Sequence, residues 1–92
     1  LGHMAKVELE VRTLDELREA LSVDVDVIML DNMDNDTMRE AVKIADGKAL
    51  LEASGGITEE TIRDVAETGV DIISIGALTH SVKAFDISLK II

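Results

Sequence analysis

The sequence predicts an α/β chain, the (βα)4 half of a TIM-like β/α barrel, with parallel strands and helices on the outer face. Three features lead there. Hydrophobic residues alternate between strand-like and helix-like spacing four times along the chain. Strands separated by helices must pair in parallel, through right-handed crossovers. Each strand segment also has one purely apolar face, while the opposite face mixes apolar residues with charge. A doubly wound, flavodoxin-like sheet buries both faces under helices, so its strands should read as continuous apolar runs. Glu8, Glu10, Asp31 and Glu52 would each be costly there without partners. In a barrel the second face lines the interior, and its upper end is the floor of the functional site.

The elements follow in order. Leu1-Gly2-His3-Met4 lacks periodicity and reads as a cloning remnant, so residues 1–4 are set aside and residues 5–92 are taken as one domain. Val7 to Arg12 alternates apolar and polar residues as a strand. Thr13 and Glu16 have the spacing of a capping box, and Leu14, Leu17, Ala20 and Leu21 recur at helical intervals. Val25 to Leu30 is a second strand ending at Asp31. Met38, Val42 and Ala45 mark a second helix, with Gly47 suited to its C-terminal turn. Lys48 to Ala53 forms a third strand, Ser54-Gly55-Gly56 a turn, and Ile62, Val65 and Ala66 a third helix ended by Gly69. Asp71 to Ile75 is the fourth strand, Gly76 breaks it, and Thr79 to about Leu89 is expected to be the last helix.

A shift of 45 residues sets Thr13 on Thr58, Leu17 on Ile62, Val25 on Val70, Asp26 on Asp71 and Ile28 on Ile73. Each half is then a β-α-β-α unit, a repeat architecture in miniature.

Composition narrows the function. The chain has 92 residues, with 9 basic and 19 acidic side chains and a net charge of −10. That charge repels a nucleic-acid backbone and an anionic membrane surface. Without cysteine there is no disulfide, thiolate metal site or thiol nucleophile. No apolar run approaches the ~20 residues needed to span a bilayer, so a cytoplasmic protein is expected.

In a barrel, function collects at the C-terminal ends of the strands. This chain places Glu10, Asp31 with Asn32, Glu52 with Ser54-Gly55-Gly56, and Gly76-Ala77 there. Glycines let a ligand approach the backbone, and a helix following Gly56 would aim free amides at it. An anion fits such turns but clashes with the carboxylates. A phosphorylated sugar with Mg²⁺ resolves the conflict, because the cation can sit between carboxylate and phosphate. Blander roles remain open. Ser54-Gly55-Gly56 could be a plain turn, Asp31 or Asn32 could cap the next helix, and Glu8 reads as a rim or solvent residue. His80, near the expected helix start, reads as a surface or capping residue.

The segments Glu8-Leu9-Glu10-Val11, Ile28-Met29-Leu30-Asp31-Asn32-Met33, Leu51-Glu52-Ala53-Ser54-Gly55-Gly56-Ile57, Ala66-Glu67-Thr68-Gly69-Val70-Asp71 and Gly76-Ala77-Leu78-Thr79-His80-Ser81 occur in that order. This set resembles the C-terminal part of quinolinate phosphoribosyltransferase, also called nicotinate-nucleotide pyrophosphorylase, from about Lys6 to Ile92. The resemblance implies a type II phosphoribosyltransferase of NAD biosynthesis. Such an enzyme converts quinolinate and phosphoribosyl pyrophosphate to nicotinate mononucleotide, pyrophosphate and CO₂, with Mg²⁺. By position, Glu10 and Asp31 match the acids that hold ribose hydroxyls and metal, and they are the expected catalytic pair. Ser54, Gly55 and Gly76 match the phosphate-binding turns, with Gly56 and Ala77 beside them, and Glu52 matches an acid at the site floor.

The departures carry expectations too. The family enzyme is longer, and the missing parts supply most of the basic residues that grip the two carboxylates of quinolinate. The expectation is therefore an excised or engineered half-barrel that keeps the sugar-phosphate side of the site, for phosphoribosyl pyrophosphate or a nucleotide phosphate, without turnover. The alternative is a structural module with no ligand. Val23-Asp24-Val25 lacks the glycine that usually ends the first helix; Asp24 can adopt the left-handed conformation in its place, at some cost. Open sheet edges and an uncovered inner face predict a homodimer or higher homo-oligomer.

Overall fold

The computed structural model describes residues 7–75 and the backbone of His80–Lys83. Strands β1 (Glu8–Val11), β2 (Val27–Asp31), β3 (Leu50–Ser54) and β4 (Ile72–Ile75) alternate with helices α1 (Leu14–Ala20), α2 (Asn35–Ala45) and α3 (Ile62–Ala66). The four strands pair in parallel in sequence order. That is the expected α/β architecture of four parallel strands alternating with helices.

One element differs. A fifth strand, β5 (His80–Lys83), stands where the final helix was expected to begin, and it runs antiparallel to β4 with Ile75 opposite His80 and Ile73 opposite Val82. Val82 continues the β-branched ladder, and a link of a few residues suits a hairpin and not a crossover. Gly76, Ala77 and the stretch from residue 84 onward lie outside the described residues, as do residues 1–6.

The register sorts side chains as the alternation requires. Ile28, Leu30, Leu51, Ala53, Ile73 and Ile75 share one face and are buried with Leu17 and Ala20 of α1, Met38, Ala41 and Ala45 of α2, and Ile62 and Val65 of α3. All three helices cover that single face. The opposite face carries Glu8, Glu10, Val27, Met29, Asp31, Leu50, Glu52, Ile72 and Ser74. Gly69 ends the third helical segment at φ +100, which favours glycine for backbone shape, and a β-carbon there would press on Val42 Cγ1 at 3.2 Å.

The helix ends explain themselves chemically. Thr13 Oγ1 accepts from the Glu16 amide at 3.1 Å, and Glu16 Oε1 accepts from the Arg12 amide at 2.7 Å, one residue further back than a standard capping box. At the other end Leu21 closes α1 in the right-handed region (φ −71), and the Ser22 hydroxyl donates to the Glu19 carbonyl at 2.6 Å. Asp24 is therefore not asked for a left-handed conformation; among described non-glycine residues only Asn32 and Asp46 have positive φ. Asp46 (φ 48) and Gly47 (φ 77) together turn the chain out of α2. The cap of α2 is Asp34, whose Oδ1 accepts from the Thr37 amide at 2.8 Å, and neither Asp31 nor Asn32 plays that part.

The 45-residue repeat has a physical counterpart. The Asp26 carboxylate accepts from the Val7 amide at 2.8 Å, and the Asp71 carboxylate accepts from the Leu51 amide at 2.9 Å. In both cases the aspartate amide donates back to the same neighbour's carbonyl, at 3.0 and 2.9 Å. Each half thus opens its second strand with an aspartate clamped to the strand beside it.

Candidate functional site

Two rows of polar residues cross the open face near the C-terminal ends of the strands. In the lower row, Glu10 stands beside Met29, Met29 beside Glu52, and Glu52 beside Ile72. Asp31 lies one pleat higher and directly opposite Ser54. With strands ~4.8 Å apart and ~6.6 Å between same-face residues, the Glu10 and Asp31 backbones lie about 8 Å apart. Glu10 and Glu52 lie about 10 Å apart. The predicted acids thus do share one face and one end of the sheet. Gly76 and Ala77 lie outside the described residues.

Each acid has its own surroundings. Asp31 is half-buried and pairs with the exposed Arg12 guanidinium at 3.4 Å. Glu10 is exposed at the edge. Glu52 is buried although it faces the open side, and it accepts a short hydrogen bond from the Ser74 hydroxyl. Its other neighbour is Glu8. Slight burial raises the Glu8 carboxyl above its ordinary range, and the charge of Glu52 and a hydrogen bond with its carboxyl raise it further. Sequence reading placed Glu8 at the rim and missed this contact. The alternation put Glu8 on the correct face, but only strand order brings Glu52 diagonally across β2 toward it.

The glycine turn is tight. Gly55 and Gly56 both have positive φ, +97 and +68. A β-carbon at Gly55 would stand 2.7 Å from Asn32 Oδ1 and 3.0 Å from the Asn32 amide nitrogen, so glycine is obligatory there. The Asn32 amide donates to the Ser54 carbonyl at 2.9 Å, which ties the exit of β2 to the exit of β3. Beside this turn is a cavity of about 260 Å³, bounded by Ser54, Gly55, Gly56, Met33, Asp34 and Thr61. One expected contribution is missing. α3 begins at Ile62, several residues past Gly56, and its five residues make it too short for a useful helix dipole. An anion in the turn would therefore find no helix end beside it. Asp34, on the cavity wall, is held below the ordinary carboxylate range by its hydrogen bond from the Thr37 backbone.

For a cation the donor set is sparse. Among the described residues no three acidic or histidine side chains converge to hold a metal ion. Mg²⁺ characteristically takes one or two carboxylates and completes its shell with water and substrate phosphate. Glu10 and Asp31 fit that second arrangement, in which the ion arrives with the phosphate.

Four parallel strands covered by helices on one face, with acids and a glycine turn at their C-terminal ends, have the layout of part of a β/α barrel, whose functional sites lie at that end. Comparison with known proteins specifies the family. Residues 1–90 match the family described as quinolinate phosphoribosyl transferase, C-terminal domain, and the chain belongs to that family. It is 48% identical over 90 residues to a probable carboxylating nicotinate-nucleotide pyrophosphorylase of Bacillus subtilis, a match that covers 98% of this chain and 31% of that protein. It is 50% identical over 94 residues to the probable enzyme of the same name in Methanocaldococcus jannaschii, covering 95% of this chain and 33% of that one. The solved structure of the nicotinate-nucleotide pyrophosphorylase from Francisella tularensis superposes with a TM-score of 0.78 at 44% identity, over 89% of this chain and 30% of that one. The chain thus spans about a third of the length of these relatives.

Proposed function

We propose that this chain carries the sugar-phosphate half of a quinolinate phosphoribosyltransferase site and does not itself turn over quinolinate. The observation that supports this most directly is the convergence of Glu10, Asp31 and the Ser54-Gly55-Gly56 turn at one end of the open face. In this reading Glu10 and Asp31 hold the ribose hydroxyls and, with the phosphates, Mg²⁺. Ser54, Gly55 and Gly56 receive a phosphate on backbone amides and the serine hydroxyl; Gly76 and Ala77, assigned to the same phosphate by the family resemblance, lie outside the described residues. Glu52, tied to Ser74, shapes the floor.

What argues against turnover is the distribution of positive charge. Arg12 is engaged with Asp31, while Arg18, Arg39 and Lys43 each pair with an acid three residues earlier on the outer helices. A dicarboxylate such as quinolinate needs cations facing the site. A cytoplasmic location goes with this reading, although plant relatives carry mitochondrial and chloroplastic in their names. The exposed β1 edge and open inner face further support a homodimer or higher homo-oligomer.

The test is an amide NMR titration of the whole chain with phosphoribosyl pyrophosphate and Mg²⁺, alongside a steady-state assay with quinolinate. Saturable shifts at Glu10, Asp31 and Ser54 to Gly56 without product are expected. A dispersed spectrum that does not move would make the chain a scaffold without ligand, and sustained formation of nicotinate mononucleotide would refute the absence of turnover.

A further inference from the structure

We propose that Asn32 is a positioning residue whose carboxamide, held across Gly55, fixes the Ser54-Gly55-Gly56 turn in the form that receives phosphate. The proposal rests on the sugar-phosphate reading above for its purpose, and on backbone geometry for its existence.

Asn32 holds φ 56 outside any helix cap. Among L-residues asparagine tolerates this region best, but glycine tolerates it better still. Glycine would hold this φ with less strain but would lose more backbone freedom on folding, so any work done by the asparagine side chain is read from its contacts. It is exposed, so that work is not core packing. Its Oδ1 and Cγ lie 2.7 and 2.9 Å from where a β-carbon of Gly55 would stand, so the carboxamide rests directly on the glycine's α-carbon.

Gly55 needs such a neighbour. Two successive glycines with positive φ belong to a turn that has many other accessible conformations, so a contact that excludes some of them fixes its shape. The Asn32 amide to Ser54 carbonyl bond anchors the entry to that turn at 2.9 Å, and the carboxamide closes off the space into which Gly55 would otherwise move. A group that restricts a binding loop before the ligand arrives raises affinity by lowering the ordering cost.

Asn32→Gly separates the two roles, because it keeps the backbone conformation and removes the carboxamide. Two readouts on the whole chain test it. In the absence of ligand, the backbone order parameters of the Gly55 and Gly56 amides, read by ¹⁵N relaxation, should fall from about 0.85 to below about 0.6, while that of Gly69 stays unchanged. With phosphoribosyl pyrophosphate and Mg²⁺, the dissociation constant should rise by about tenfold or more. Unchanged order parameters at Gly55 and Gly56 would overturn the proposal whatever the ligand does. Lower order parameters with unchanged affinity would overturn its link to phosphate binding. An unaltered chain that binds nothing would defeat the sugar-phosphate reading, and with it the role for phosphate, while the order parameters still decide whether the carboxamide restrains the turn.

Discussion

Glu8 and Glu52 illustrate how much one contact can add to a residue that looks ordinary in sequence. The raised Glu8 carboxyl gives a pH signature of definite sign. Well below the unfolded carboxyl pKa of about 4.3, folded and unfolded chains both hold the proton and Glu8 has no effect. As pH rises through the higher folded value, the folded state must ionise beside Glu52 and stability falls. Glu8→Gln removes that penalty while keeping shape and hydrogen-bonding capacity. Its Tm should exceed that of the unaltered chain at pH 7 by no more than about 3 °C, since Glu8 is exposed and solvent screens it. The difference should close near pH 3, and thermal melts at the two pH values decide it. The paired aspartates offer a second test at this scale. Asp71→Ala removes a part-buried acceptor for the Leu51 amide and should cost about 1–3 kcal/mol in chemical denaturation. Asp26→Ala frees the Val7 amide to exposed surroundings where water can replace the acceptor, and it should cost less.

At the scale of elements, the parallel strands, their faces and the first two helices were legible because each rests on local chemistry. Alternation in Val7 to Arg12, the Thr13 to Glu16 cap and the apolar spacing of Met38, Val42 and Ala45 all act within a few residues of chain. Three features were not legible in this way. The segment His80–Lys83 followed four strands and three helices, so the period suggested another helix, but the unpaired edge of β4 captured it as a strand. The turn after Gly56 runs through Thr58 to Thr61, where the Thr61 hydroxyl accepts from the Thr58 amide at 3.0 Å and delays α3. The cap of α2 fell to Asp34 because Asn32 had already turned the chain toward Ser54. Each outcome depends on a neighbour that the sequence does not place. The Asp34 cap is itself testable. Asp34→Ala should lower Tm at pH 7, Asp34→Ser should largely restore it, and the cap's contribution should fade as acid protonates Asp34 below its lowered pKa. Inside the core, Ile28 is fully buried beneath the helices, and Ile28→Ala should cost about 2–5 kcal/mol. A chain of this size has a total stability on that scale, so urea titration should find the variant largely or wholly unfolded.

For the whole molecule, the two sheet edges are unequal. β5 covers β4 with an antiparallel strand, whereas β1 ends the sheet with one side unpaired among the described residues. The helices cover a single face, and the other presents Leu50 at 44% exposure among Met29, Ile72 and the acids. A second copy laid on that face would shelter its apolar residues, but it would also set Glu8, Glu10 and Asp31 of each copy near their counterparts. Two chains of −10 repel at long range, and that repulsion is screened beyond about 10 Å at 0.1 M salt. Assembly by this face should therefore depend on ionic strength in a particular direction. Light scattering at micromolar concentration should give a mass closer to one chain in ~10 mM NaCl and closer to two in ~500 mM NaCl. Leu50→Asp, which adds a charge at the centre of the apolar patch without touching the helix-covered core, should hold the mass at one chain in both salts and leave the fold intact. A dimer that ignores both salt and the substitution would be joined elsewhere, with the open edge of β1 the next surface to alter. A monomer at every salt concentration would mean that the apolar residues of this face are too few to hold two copies together even when the charges of its acids are screened.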